Sequence, residues 1–120
     1  MIKVNLYEDQ KGLCGFLADG HAEYAEPGET DEVCAGITSL AGSLVVSLTD
    51  LLKLELVEYS LKPGRLWCKV DKIPDSKRNE ADLLFKSFKL GCEQISFSYG
   101  QEYVQVQSEP VDINREEENV

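Results

Sequence analysis

Two residues of the chain, His21 and Cys34, are of the types that together break amide bonds. A cysteine thiolate attacks a carbonyl carbon, and an imidazole beside it accepts the thiol proton and later gives it to the leaving amine. His21 is the only histidine in the 120 residues, so any pairing of cysteine with histidine must use it. The sequence must therefore indicate which of its four cysteines can meet His21.

Cys34 differs from the other three cysteines in its predicted position, the first turn of a helix. Free N–H groups and the positive end of the helix dipole favour a thiolate there, and the same N–H groups could hold the oxyanion of a tetrahedral intermediate. Cys14 falls in a predicted strand, Cys68 in the middle of a strand and Cys92 in the middle of a helix, where cysteine usually packs as a small apolar side chain. We therefore predict Cys34 as the nucleophile, with packing of the helix start as its structural alternative.

Asp31 and His21 each have two interpretations. Asp31 precedes the helical spacing that begins at Val33, as a capping residue does, but it could instead orient the imidazole of His21 as the third member of a triad. His21 is the base if the pair is catalytic, and a structural hydrogen-bonding residue otherwise. Gly20, directly before it, either serves a turn or clears space for a substrate backbone.

The elements that must position these residues follow from the spacing of apolar side chains. Alternation predicts five strands, and spacing of three or four residues predicts two helices, the first from about Asp31 to Leu52 and the second ending at Gly100. The strands are Ile2–Tyr7, Leu13–Ala18, Leu54–Ser60, Arg65–Asp71 and Glu102–Gln107. The order β-β-α-β-β-α-β predicts an α+β two-layer sandwich, with two helices on one face of a sheet of about five strands.

A single domain accounts for a chain of this length. We predict that residues 1–107 form it and that residues 108–120 are an acidic, disordered tail. Residues 23–30, which contain Pro27 and Gly28, are predicted as a loop between His21 and Cys34. We expect this loop to be mobile without substrate and to close over a bound peptide.

Composition disfavours several classes of function. The chain has 12 Lys and Arg against 22 Asp and Glu, a net charge of −10, so it lacks the basic surface that nucleic acids and anionic membranes require. An acidic surface suits a basic protein or peptide partner. The cysteines form no CxxC pair, and we predict neither a metal site nor a cofactor. We expect no apolar run as long as the roughly 18 residues of a membrane span, and no secretory signal. These expectations predict a cytoplasmic protein with free thiols.

The residues around the predicted pair resemble the ribosomal-processing cysteine proteases called Prp. The family pattern is a GHA element, a short flexible loop and a D-x-V-C-A element that enters a long helix, and the chain has Gly20-His21-Ala22 and Asp31-Glu32-Val33-Cys34-Ala35. This local match runs from Gly20 to Ser39, while length, acidity and element order agree along nearly the whole chain. The loop is slightly longer than usual, since Glu29 and Thr30 separate Gly28 from Asp31, and this difference bears on loop closure and substrate fit.

The resemblance implies a cysteine endopeptidase with His21 as general base and acid and Cys34 as nucleophile. It implies as substrate the N-terminal extension of a large-subunit ribosomal protein, the twenty-seventh in the usual naming, removed after paired aromatic residues and before a small residue. Gly20, Ala22, Pro27 and Gly28 are then substrate-loop residues. The resemblance also implies a homodimer, and a basic ribosomal protein precursor fits the charge of −10.

The sequence alone also allows a function that is not enzymatic. The chain could be a non-enzymatic ribosome-associated or protein-binding module in which Cys34 only packs the helix start. Thiol reactivity separates the two hypotheses, because a packed thiol is inert and a catalytic thiolate is not.

Overall fold

The computed structural model describes residues 1–111 of the chain, and its sheet follows from the alternation of apolar side chains. In strand β1 (Ile2–Asp9), Ile2, Val4 and Leu6 are buried, and β2 (Gly12–Asp19) returns antiparallel to it with Phe16 buried. The remaining strands are β3 (Val57–Lys62), β4 (Arg65–Val70) and β5 (Val104–Pro110).

The five strands lie in the order β3-β4-β2-β1-β5. β4 pairs antiparallel with β2, so that Leu66 lies opposite Ala18, and β5 pairs parallel with β1, beginning with Ile2 opposite Val104. The place of β4 beside β2 matters for function, because it brings the turn between β3 and β4 to the end of β2, where His21 follows.

Two helices, α1 (Glu32–Val46) and α2 (Arg78–Tyr99), pack on one face of this sheet and against each other. The rings of Phe16 on β2 and Phe88 on α2 have centroids 4.4 Å apart in the core. The helices approach closely at Gly91, where an added methyl group would lie 2.9 Å from Cδ1 of Leu40. The predicted α+β class and the element order β-β-α-β-β-α-β are confirmed.

The first helical segment ends at Leu51, close to the predicted Leu52, but its last turn is not α-helical. After α1 the chain forms one π-helical turn, Ser47–Leu51, where the hydroxyl of Thr49 donates to the backbone oxygens of Val45 (3.1 Å) and Val46 (3.2 Å). Such side-chain bonds compete with the regular helical ladder. The next strand starts at Val57 rather than Leu54, because the N–H of Leu54 donates to Leu48 O (3.1 Å) and stays with the helix end.

The last strand also differs from its predicted bounds. β5 continues to Pro110, so residues 108–110, which the prediction assigned to the tail, belong to the sheet. The N–H of Val111 donates to Glu8 O at 2.7 Å, beside β1. The rest of the predicted disordered tail, residues 112–120, lies outside the described residues.

One expectation about membranes was wrong. The helical segment Glu32–Leu51 is long and apolar enough to cross a membrane, because the glycine, serine and threonine residues that interrupt its apolar side chains carry no charge. In the structure Val33, Ile37, Ala41 and Leu44 of this segment are buried in the same core as the sheet and α2. One face of this segment therefore belongs to the core of the domain.

Candidate active site

Cys34 lies in the first turn of α1, and Asp31 caps that turn. Asp31 has extended backbone (φ −90°, ψ 107°), and its Oδ1 accepts from the N–H groups of Val33 (3.0 Å) and Cys34 (3.1 Å). The backbone oxygen of Asp31 accepts from Ala35 N–H at 3.0 Å. The expectation of free N–H groups around Cys34 was therefore wrong, because the cap already occupies these three donors.

The second carboxylate oxygen of Asp31 holds the loop rather than the histidine. Oδ2 accepts from the N–H groups of Tyr24 (2.9 Å) and Ala25 (3.2 Å), and within residues 1–111 the carboxylate makes no hydrogen bond to His21. Burial alone would raise the pKa of the Asp31 carboxyl, but these backbone hydrogen bonds outweigh it and hold the pKa below its ordinary value. Asp31 is thus a helix cap and a loop anchor in this structure.

The thiol of Cys34 is half-buried and has one hydrogen-bond donor aimed at it. The N–H of Ala22, the residue after His21, lies 3.4 Å from Sγ of Cys34 (nitrogen to sulfur), and Ala22 itself is buried. This hydrogen bond holds the sulfur beside the residue that follows His21. The short path between the histidine and the helix thus places a backbone donor on the predicted nucleophile.

The other cysteines lie in environments that disfavour reaction. Cys68 and Cys92 are buried, and burial raises the pKa of each thiol to about 12, with the charge of Glu93 adding to the effect at Cys92. Cys14 is half-buried on β2, and its thiol donates to Tyr7 O at 3.6 Å. Cys34 is therefore the cysteine whose surroundings suit a nucleophile.

His21 is held by contacts of its neighbours and of its ring. Gly20 N–H donates to Gly64 O at 2.9 Å, and the amino group of Met1 donates to the backbone oxygen of His21. The imidazole rests on Gly64, where an added methyl group would lie 2.6 Å from Nε2 of His21. Gly64 has φ +85°, the positive value that a Pro-Gly type II turn needs at its third residue. The turn between β3 and β4 therefore forms one wall of the site.

His21 and Cys34 line one cavity of about 480 Å³. Among the described residues no hydrogen bond joins the imidazole to the thiol, although both side chains line the same cavity. Ile2, Leu61 and Leu66 make part of the wall apolar. A cavity of this kind, apolar with a few polar groups at one side, is typical of ligand-binding sites.

The predicted substrate-loop residues fall into two groups. Gly20 lines the cavity, and Ala22 is buried against Cys34. Pro27 and Gly28 are exposed, do not line the cavity, and Gly28 would have no atom within 4 Å of an added methyl group. The structure therefore brings the first two residues to the candidate pair and leaves the other two at the surface of the loop.

Sequence reasoning missed the residues of the cavity that come from distant elements. Pro63-Gly64 was identified as a turn, but its contact with His21 depends on β4 lying beside β2, more than 40 residues away along the chain. Ile2 is another, since its position follows from the register of β1. The only local signal was the Pro-Gly pair itself. Within residues 1–111 no three His, Cys, Asp or Glu side chains are grouped to hold a metal ion.

Residues 1–105 match the model of the protein family described as cysteine protease Prp. No curated protein matches the chain. The family match therefore covers all the strands and helices described above except most of β5, of which only the first two residues are included.

Solved structures with a similar fold cover nearly the whole chain. SMU.848 from Streptococcus mutans has a TM-score of 0.74 and 23% identity, over 92% of this chain and 96% of that one. The essential ribosomal processing protease Prp from S. aureus, in complex with a substrate peptide, has a TM-score of 0.71 and 20% identity. The same protease with a covalently linked product peptide has a TM-score of 0.69 and 21% identity, and both cover 91% of this chain and 100% of theirs. At these identities the likeness shows a shared fold.

Proposed function

The chain belongs to the family of cysteine protease Prp, and from that premise we propose that Cys34 is its nucleophile and His21 its general base and acid. The observation that carries the proposal is the cavity that both side chains line. The chain's single histidine thus shares a cavity with the one cysteine that lies at a helix start, and a backbone N–H is directed at the sulfur of that cysteine.

In the proposed reaction His21 accepts the thiol proton, and the sulfur of Cys34 attacks the carbonyl carbon of the scissile peptide bond. A carbon–sulfur bond forms, and the carbon–nitrogen bond breaks as His21 gives its proton to the leaving amine. Water, deprotonated by His21, then hydrolyses the thioester. The imidazole must approach the thiol when substrate binds, since catalytic hydrogen bonds are often made only in the complex.

We assign oxyanion stabilisation to the N–H of Ala22. This donor now bonds the sulfur at 3.4 Å, and on our proposal it passes to the neighbouring oxyanion once the sulfur has bonded to the carbonyl carbon. The N–H groups of Val33 and Cys34 are occupied by the Asp31 cap and are not available for that role. A backbone donor fixed before the reaction stabilises developing charge at little reorganisation cost.

We further propose that the substrate is the N-terminal extension of the large-subunit ribosomal protein that the resemblance implies. Two features support this assignment. The apolar wall of the cavity offers a surface for an aromatic side chain. The net charge of −10, with exposed Glu26 and Glu29 on the loop, suits a peptide followed by Lys and Arg. The fold is also that of a protein named as a ribosomal processing protease.

A peptide series tests this substrate assignment. Replacing both aromatic residues before the cleavage site by Ala is expected to nearly stop cleavage, because the apolar anchor is lost. Neutralising the basic residues after the site is expected to lower the rate modestly and only at low salt, because exposed charges act mainly on association and are screened. Cleavage that tolerates loss of the aromatics but follows the basic charge at every salt concentration would rule out the assignment.

The non-enzymatic alternative has no support from the family match, which is to a protease. Location in the cytoplasm remains a prediction, and the free thiols of the described cysteines fit a reducing compartment.

We also propose the homodimer that the resemblance implies. The outer face of α2 exposes Leu83 (67%), Leu90 (59%) and Phe97 (86%) at intervals of seven residues, which puts them in one row along the helix. A second copy that covers this row would remove apolar area from water. Light scattering is expected to give about twice the chain mass of 13.4 kDa for the natural protein and the single mass for Leu90→Glu. A natural protein that runs as a monomer would contradict the dimer.

A further inference from the structure

We propose that Tyr24, held between Tyr99 and Tyr103, is a latch that positions the catalytic pair. The ring of Tyr24 lies edge-on to both partners, with centroids 5.0 Å from Tyr99 at 88° and 5.1 Å from Tyr103 at 84°. Edge-to-face packing at this separation is the favoured geometry for aromatic pairs. The inference rests on the proposed roles of His21 and Cys34, and it concerns the segment that joins them.

The latch lies next to a strained backbone position. Glu23 has φ +58°, a left-handed value that costs free energy for a residue with a side chain. Such a conformation persists only where its surroundings hold it. On one side of Glu23, the ring of Tyr24 is clamped and its N–H is bound to Asp31 Oδ2. On the other side, Ala22 is buried with its N–H on the sulfur of Cys34.

The two partner tyrosines are themselves tied to the site. The hydroxyl of Tyr99 donates to Oε2 of Glu32, the first residue of α1, at 3.0 Å. The backbone oxygen of Tyr103 accepts from the N–H of Ile2 at 2.8 Å, and Ile2 lines the cavity. The contacts of Tyr24 with Tyr99 and Tyr103 therefore connect the loop to the helix start that carries Cys34 and to the strand that lines the cavity.

These contacts divide the loop between His21 and Asp31 into two parts. Residues 22–25 are held by the sulfur of Cys34, by the rings of Tyr99 and Tyr103 and by Asp31. Residues 26–30 are exposed, and within residues 1–111 their one hydrogen bond is the turn bond from Glu29 N–H to Glu26 O, at 3.0 Å. This division bears on the expectation that the loop closes over a bound peptide, which stays a prediction. On the proposal, residues 26–30 close over a peptide while the latch keeps Ala22 and His21 in place.

The test compares Tyr24→Ala and Tyr24→Phe with the natural protein, and uses Tyr59→Ala as a matched control. Tyr59 is an exposed tyrosine on β3 that does not line the cavity. Amide hydrogen exchange measures the protection of the Ala22, Tyr24 and Ala25 amides. The rate of alkylation by iodoacetamide in the absence of substrate measures the reactivity of Cys34. A peptide with paired aromatic residues gives kcat and KM, and thermal unfolding gives Tm.

We expect Tyr24→Ala to lose protection at these amides and to change the alkylation rate of Cys34. Its kcat should fall roughly 10- to 100-fold with Tm nearly unchanged, because displacing a catalytic group by about 1 Å can slow a reaction by this factor. Tyr24→Phe keeps the ring contacts and should restore all three, and Tyr59→Ala should alter none. Retained amide protection in Tyr24→Ala, lost protection with unchanged kcat, or Tyr24→Phe as impaired as Tyr24→Ala would each overturn the latch. Failure of the natural protein to cut the peptide would instead count against the proposed function, and exchange and alkylation would still decide the latch.

Discussion

The imidazole of His21 packs directly on the backbone of Gly64. A methyl group added to Gly64 would lie 2.6 Å from Nε2 and 3.0 Å from Cε1 of that ring. Carbon atoms in folded proteins do not approach other heavy atoms so closely, so any side chain at position 64 must displace the imidazole. Gly64 thereby sets where the proposed general base lies in the cavity.

Gly64→Ala is therefore expected to lower kcat/KM roughly 10- to 100-fold, because the displaced imidazole no longer meets the thiol correctly. The variant should also lose about 1–2 kcal/mol of stability, since φ at Gly64 is +85° and a Cβ there is strained. Peptide cleavage and urea unfolding measure the two effects.

Gly12→Ala separates backbone strain from displacement of the base. Gly12 also has positive φ (+140°), but it is the first residue of β2, where the added methyl group would meet Asp82 and not His21. This control should lose stability and keep kcat/KM within about twofold. Equal losses of activity in the two variants would show that Gly64 acts only through stability.

Limited alkylation should distinguish Cys34 from the other three cysteines. At near-neutral pH iodoacetamide is expected to modify Cys34 first, because Cys68 and Cys92 are buried with pKa values raised to about 12 and so hold almost no thiolate. Cys14 is half-buried with its thiol donated to a backbone oxygen. Peptide mapping after partial reaction measures the order, and uniform labelling or an unlabelled Cys34 would count against the nucleophile assignment.

Substitutions of Asp31 should separate helix capping from loop anchoring. Asp31→Ala loses both functions and is expected to cost about 0.5–2 kcal/mol of stability. Asp31→Asn can keep the cap through its single oxygen, but its NH₂ group cannot accept the N–H groups of Tyr24 and Ala25. Asp31→Asn should therefore stay close to the natural protein in stability but lose amide protection at Tyr24 and Ala25. Equal stability losses in both variants would contradict the division of roles between the two oxygens.

The contribution of Asp31 should also depend on pH. Because its pKa is lower in the folded protein than the ordinary 3.8, the carboxylate stabilises the fold above the ordinary value, and this stabilisation is lost as pH falls through the lowered pKa. The stability difference between the natural protein and Asp31→Ala should thus be largest near neutral pH and shrink below about pH 4. Subtracting the stability of Asp31→Ala from that of the natural protein at each pH removes the contributions of Asp9 and Asp82, whose carboxyl pKa values are also lowered. A difference that grows on acidification would contradict this assignment.

Much of the fold could be predicted from local patterns, because each element carries its own periodicity. Alternation located β1 and β2, and the helical spacing from Val33 located α1, since both depend on which face each residue buries. The π-helical turn after α1 and the late start of β3 could not be predicted, because the hydroxyl bonds of Thr49 and the bond from Leu54 to Leu48 depend on the folded geometry. Strand order was equally out of reach, since the parallel pairing of β5 with β1 joins opposite ends of the chain.

The candidate site shows the same division. His21 and Cys34 could be paired from the sequence, because His21 is the only histidine and Cys34 the only cysteine predicted at a helix start, and both line one cavity. The contact of Gly64 with His21 and the clamp of Tyr99 and Tyr103 on Tyr24 come from residues distant in sequence. No local pattern reports such contacts, so the structure was needed to find them.

The central claim is that His21 and Cys34 act as one catalytic unit. The most direct test is the intact mass of a cognate ribosomal protein precursor incubated with the natural protein, Cys34→Ala, His21→Ala and the double variant, all checked for unchanged circular dichroism. The account predicts that the natural protein removes the N-terminal extension, that each single variant abolishes the cleavage, and that the double variant is scarcely worse than either, because members of one unit are not additive. Cleavage by Cys34→Ala or by His21→Ala at the rate of the natural protein would contradict it.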